Sequence, residues 1–173
     1  MQNMPSEIEI RLAEPGDEVL IAGVLYDAFA GYKYLYTEEA FDATILGIAK
    51  IKERIDSKTM WVALFKGVIR ATLSLTSTRD ELYVRSVAVS PIVRRKGLGK
   101  ALMTHAEGEA IKMGFQQLEL TTTAFLFEAI RLYEDLGFER CGFEDLFGTQ
   151  LIKMKKNLKQ TVSSLKKRTN ALN

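Results

Sequence analysis

A chain of 173 residues, 47% hydrophobic and 27% charged, has room for one domain with a well-buried core and the composition of a soluble globular protein. No apolar run is long enough to span a bilayer, the first ten residues are too polar and acidic for a secretory signal, and Cys141, the single cysteine, excludes an intrachain disulfide, so a cytoplasmic protein is expected. The net charge of +2 hides an asymmetry, because seven basic residues lie between Lys153 and Arg168 and no acid follows Asp145. The remaining body is acidic, which suits a cationic partner such as an amine. The basic end lacks interleaved aromatic residues and reads as a solvated tail, so nucleic acid is not expected as a partner.

Ile8 to Leu12 alternates as a half-buried strand does, and Glu14-Pro15-Gly16-Asp17 is a turn that makes Asp17 the N-cap of a helix through Val19, Leu20, Val24 and Phe29. The aromatic connector Gly31 to Tyr36 follows. Thr37 with Glu38 and Glu39 opens a second helix, with Phe41, Ile45, Ile48, Ile51 and Ile55 on one face. Met60–Phe65 and Val68–Thr76 form a hairpin around Lys66-Gly67, and Glu81–Val89 is a further strand. A helix is expected from about Leu98 to Met113, ended by Gly114. Gln117–Thr122 is a strand and Phe125–Leu136 a helix stopped by Gly137; Phe138–Phe143 and Gln150–Met154 are two last strands. With no repeat and no linker, the order predicts one α/β or α+β domain, residues 1–156, around a mixed sheet, with residues 157–173 as the tail.

The most informative stretch joins the strand ending at Val89 to the helix opening at Leu98. Between them run Ser90-Pro91 and the loop Arg94-Arg95-Lys96-Gly97-Leu98-Gly99-Lys100. A basic, glycine-containing turn feeding a helix aims backbone N–H groups and the positive end of a helix at one point, which suits a phosphate. A mononucleotide P-loop needs glycine where Arg94 stands and Ser or Thr where Ala101 stands; a dinucleotide fingerprint needs glycine at Leu102. Neither spelling is met.

Arg94-x-x-Gly97-x-Gly99 does match the pyrophosphate loop of the GNAT acyltransferases. The downstream string Ala129-Ile130-Arg131-Leu132-Tyr133-Glu134-Asp135-Leu136-Gly137-Phe138 is similar to the second signature of that family. Together, in this order and one helix plus one strand apart, they make residues 7–156 resemble a GNAT domain. The resemblance implies a mostly antiparallel mixed sheet of about seven strands with four flanking helices, splayed between the fourth and fifth strands. It also implies an acetyl-CoA-dependent N-acetyltransferase, commonly a homodimer, or alternatively a non-catalytic acyl-CoA-binding module of the same fold.

The same resemblance assigns roles. CoA would rest on the loop Arg94, Arg95, Lys96, Gly97, Leu98, Gly99 and Lys100, along Val87, Ala88 and Val89, and against Ala129 and Tyr133. The Val89 amide would meet the thioester oxygen, and Tyr133 would return a proton to the sulfur, a phenol with an ordinary pKa of about 10 being protonated at neutral pH. Family members commonly place Asn where Leu126 stands and Glu where Tyr83 stands. The base is therefore open between Glu81, one strand pleat away, Tyr83 itself and water. Arg85 shares that strand face, either contacting an acceptor with an acidic group or pairing with Glu81. Phe29, Tyr32, Tyr34 and Tyr36 fall where the acceptor pocket forms, or pack the core and connector. His105 reads as a helix-surface residue and Cys141 as a buried thiol; neither supports a metal set or a nucleophile pair.

Overall fold

The computed structural model describes residues 7–78 and 81–158, so most of the basic tail lies outside the described residues. Seven strands form one sheet: β1 (Ile8–Leu12), β2 (Met60–Phe65), β3 (Val68–Ser77), β4 (Leu82–Val89), β5 (Gln117–Thr123), β6 (Glu139–Leu146) and β7 (Thr149–Asn157). Their spatial order is β1-β2-β3-β4-β5-β7-β6. Every neighbouring pair is antiparallel except β4 with β5, which run parallel. Of the helices, α1 (Glu18–Phe29), α2 (Glu38–Ile45) and α3 (Ile48–Asp56) precede the hairpin; α4 (Leu98–Lys112) and α5 (Phe127–Asp135) follow β4 and β5. None of these helices is long and apolar enough to cross a membrane.

Strand alternation divides the core in two. Ala71, Leu73, Leu75, Leu82, Val84, Leu118 and Leu120 bury one sheet face under Leu98, Leu102, Met103 and Ala106 of α4 and Ile130 and Tyr133 of α5. Met60, Val62 and Ala88 bury the other against Ile21, Leu25, Phe29, Phe41, Ile51 and Ile55 of α1–α3. The Lys156 ammonium, on β7, ties α4 to the sheet through the Glu107 carboxylate at 2.6 Å, with both side chains largely shielded (14% and 11% exposed).

Four details depart from the expectations. The long second helix is two, because Leu46 takes a left-handed φ of 52° and Gly47, a poor helix former, starts afresh as the N-cap of α3. Asp17 precedes α1 without capping it: the Arg11 guanidinium occupies both its carboxylate oxygens at 2.7 and 3.2 Å and holds its pKa below the usual range. Cys141 is exposed on the edge strand β6 rather than buried. The sheet also takes in the first residues of the supposed tail, since β7 runs to Asn157 and Leu158 is buried, its amide donating to the Gln116 carbonyl at 2.8 Å.

Candidate active site

β4 and β5 pair only over Leu82–Leu118, Tyr83–Glu119 and Val84–Leu120, after which they part. β4 stays on β3 as far as Val89, and β5 stays on β7 as far as Thr123, so a wedge opens between them. A bulge shapes the β4 side. Thr72 faces Ala88 and Ser74 faces Arg85, so two residues of β4, Ser86 and Val87, stand opposite the single Leu73, and Ser86 takes a φ of 53°. Beyond the bulge the ladder is resumed: the Ser90 amide donates to the Arg70 carbonyl at 2.8 Å. Residues of an antiparallel pair alternate between bonded and non-bonded positions, so Val89, opposite Ala71, turns its own N–H and carbonyl away from β3 and into the wedge.

The loop after β4 completes the cleft. Arg95 (φ 62°) and Gly97 (φ 88°) sit in left-handed conformations that wind the chain tightly into α4, whose N-cap has no side-chain partner. The amides of Arg95, Gly97, Leu98, Gly99 and Lys100 donate to no protein acceptor among the described residues, whereas Ala101 already closes the first helical turn onto the Gly97 carbonyl at 2.9 Å. Here is a row of unsatisfied donors at the positive end of a helix. Glycine at position 99 keeps this wall tight: a Cβ there would lie 3.1 Å from Leu132 Cδ2, which would have to shift, and in ordinary contact with Val89 Cγ2 at 3.7 Å. A diphosphate therefore fits the residues present. The loop side chains contribute less than their charge suggests: Arg94 donates to the Ala28 carbonyl at the end of α1 (3.1 Å), and Arg95 pairs with Glu128 (3.3 Å).

Wedge and loop merge into one cleft of about 750 Å³. Val87, Ala88, Val89, Arg94, Arg95, Gly97, Leu98, Gly99, Lys100, Ala129 and Tyr133 all line it; Lys96 does not. Tyr133 reaches it from the middle of α5, its ring buried, its pKa raised by desolvation alone, and its hydroxyl in no hydrogen bond to the protein among the described residues. Leu126 lines the wall as an apolar residue at the start of α5.

Aromatic rings and arginines also wall the cleft. Phe29, Tyr32 and Tyr36 line it, Tyr32 stacked on Phe125 (6.1 Å) and Tyr36 edge-on to the same ring (4.9 Å). Tyr34 is 81% exposed and points elsewhere. Arg85 lines the cleft, but Glu81 and Tyr83 do not. The Tyr83 hydroxyl donates to Glu81 Oε2 at 2.5 Å, and that bond raises the phenol's pKa. Arg85 donates to Thr76 Oγ1 (3.1 Å) and lies over the Tyr83 ring (5.4 Å), so it does not pair with Glu81. His105 is half-buried against Trp61 (4.2 Å between rings) rather than on the open helix surface, and burial lowers its pKa.

Sequence reading missed Arg54, Thr44, Thr121, Thr123 and Glu144, all of which line the cleft. Only Arg54 left a signal: an arginine set between Ile51 and Ile55, on the apolar side of α3. Its Nη1 donates to Ser74 Oγ at 3.0 Å and to Ser86 Oγ at 2.7 Å, bracing the bulge.

Comparison with known proteins fits this geometry. A model of the acetyltransferase (GNAT) family matches residues 23–138. The uncharacterized N-acetyltransferase YjgM of Escherichia coli K12 is 38% identical over 87 residues, 48% of this chain and 52% of that protein. The [ribosomal protein bS18]-alanine N-acetyltransferase of the same organism is 44% identical over 59 residues, 34% of this chain and 40% of that protein. The chain thus spans about half the length, or less, of these relatives. Among solved structures, the PaiA N-acetyltransferase of Thermoplasma acidophilum in complex with coenzyme A superposes with a TM-score of 0.73 at 21% identity, covering 87% of this chain and 98% of that one. YncA of Salmonella typhimurium with acetyl-CoA gives 0.68 at 23%, covering 88% and 95%.

Proposed function

Because the chain belongs to the GNAT acetyltransferase family, we propose that it transfers an acetyl group from acetyl-CoA directly to a primary amine, with the wedge between β4 and β5 as the site of reaction. The observation that carries this reading is the pairing of five unsatisfied loop amides with a free Val89 amide in one cleft. Bound there, acetyl-CoA supplies an activated acyl carbon and a thiol leaving group.

The chain's own groups do the rest. The amides of Arg95, Gly97, Leu98, Gly99 and Lys100 would hold the diphosphate, and the exposed edge of β4 would pair with the extended arm as a sheet edge pairs with a peptide. The Val89 N–H, turned into the wedge, would stabilise negative charge on the thioester oxygen during attack by the amine lone pair. As the C–S bond breaks, Tyr133 donates a hydrogen bond from its hydroxyl to the departing sulfur. Burial keeps this phenol protonated beyond the ordinary alkaline limit, so the donor persists at any physiological pH. The amine proton leaves by water through the open end of the cleft, because Glu81 is engaged by Tyr83 and neither residue lines the cavity.

The direct test is release of free thiol from acetyl-CoA across a panel of primary amines, with mass spectrometry of the products. Amine-dependent thiol release with an acetyl mass on the amine is the expected result. Tight CoA binding with no transfer to any amine would leave a binding module instead.

A further inference from the structure

Beside Ser74 the cleft holds two guanidinium groups, where a site for a simple cationic amine would hold acids. Arg54 comes from α3 and Arg85 from β4, and both line the cavity. They converge on one residue: Arg85 stands directly opposite Ser74 in the β3–β4 register, and Ser74 Oγ accepts from Arg54 at 3.0 Å. Neither arginine forms an ion pair among the described residues. Nearby carboxylates are otherwise engaged: Glu53 by Lys50 at 2.8 Å, Glu81 by Tyr83, and Glu119 by the Gln117 side-chain amide at 2.7 Å. Glu144 lines the cleft from β6 and has no ion pair among the described residues.

The two like charges repel, Arg54 half-buried and Arg85 exposed where it lines the cleft, and the Arg54 pKa is lowered by desolvation first and by Arg85 second. Arg54 spends one nitrogen on Ser74 and Ser86, Arg85 one on Thr76, which leaves further donors of each fork unassigned. A carboxylate is the planar acceptor such forks suit.

We propose that Arg54 and Arg85 form a specificity site for an anionic group carried by the acceptor itself, so that the preferred acceptors are amines bearing a carboxylate or phosphonate, of the amino-acid class, rather than plain amines or polyamines. The inference rests on the acetyltransferase reading above and narrows it to a substrate class. Arg85 and Arg54 bind here; they take no part in the chemical step.

The test uses matched acceptors with acetyl-CoA: L-phenylalanine against phenethylamine, and L-leucine against isoamylamine, with the aminophosphonate analogue of phenylalanine as a third arm. The acid-bearing member should lead in kcat/KM by roughly tenfold or more, mainly through KM, as charge-assisted hydrogen bonds to a guanidinium imply. Either anion ahead of phenethylamine upholds the site, and the third arm shows which anion is preferred. Arg85→Ala should collapse the ratio toward one. Arg54→Lys, which keeps the charge but not the fork, should shrink it; a purely structural role for Arg54 would lower both members equally. Equal kcat/KM within every pair, or an advantage for the plain amine, overturns the proposal. If no amine is acetylated although CoA binds, the acetyltransferase reading fails separately. The anion site is then judged by titrating N-acetyl-L-phenylalanine and N-acetylphenethylamine into the CoA-loaded protein, where equal affinities refute it and preference for the acid supports it.

Discussion

Replacing Tyr133 by Phe removes one oxygen from the centre of the cleft and tests the proposed chemistry with little structural disturbance. The hydroxyl makes no hydrogen bond to the protein among the described residues, and the ring, packed beside Phe138 at 6.0 Å, keeps its place in the core. Folding stability should therefore change by no more than about 0.5 kcal/mol and CoA affinity by less than about threefold. The rate should fall much further. A phenol raised above its ordinary pKa of about 10 is a weaker acid than a thiol near 8.5, so its main contribution is a hydrogen bond to a charged sulfur rather than complete proton transfer in advance of bond cleavage. Such a bond is worth roughly 1.5–3 kcal/mol, so kcat should drop about 10- to 150-fold. A loss beyond about a thousandfold would show full general-acid transfer. The assay is thiol release at saturating acetyl-CoA, with single-turnover mixing to confirm that chemistry limits the rate. An unchanged single-turnover rate would remove Tyr133 from the mechanism.

Gly99→Glu places a side chain 3.1 Å from Leu132 and a negative charge beside the diphosphate cradle, and should reduce CoA affinity at least a hundredfold by calorimetry; near-normal affinity would place the diphosphate elsewhere. Lys156→Met strands the largely buried Glu107 carboxylate and should cost about 3 kcal/mol in denaturant unfolding, much of it recovered by adding Glu107→Leu; a loss below about 0.5 kcal/mol would mean the pair is solvated. Stability should also fall with rising pH above about 10: the unfolded Tyr133 phenol ionises there while the buried one, its pKa raised, stays protonated, and each pH unit between the two costs about 1.4 kcal/mol. Tyr133→Phe should remove that share of the alkaline slope, as equilibrium unfolding between pH 9 and 11 will report.

Where local chemistry decided the outcome, the sequence was readable. Alternating apolar residues announced the first strand, and the basic, glycine-containing turn between Val89 and Leu98 announced the candidate anion loop, where Gly97 takes the left-handed φ of 88° that leads into α4. Competition between groups distant in the chain was not readable. Asp17 has the composition of a cap, but Arg11 reaches it first. Arg94 has the composition of a phosphate ligand, but the Ala28 carbonyl claims it. Tyr83 was a candidate by resemblance and Glu81 by strand parity with it, but parity fixes the face of a sheet and not the distance along it, and neither residue lines the cleft. Arg54 left one sign, its place between Ile51 and Ile55, but the packing of α3 that carries it to the cleft is not local, and the bulge at Ser86 that it braces has no signature in the residues around it.

The two halves of the sheet are clasped by three residue pairs at one end and gape at the other. A ligand laid in that opening takes over hydrogen bonds that an eighth strand would otherwise have made, so occupancy and resistance to unfolding rise together by simple mass action: a hundredfold excess over the dissociation constant adds about 2.7 kcal/mol. If acetyl-CoA and CoA both occupy that gap as proposed, the spent molecule would stabilise the fold as well as the fresh one.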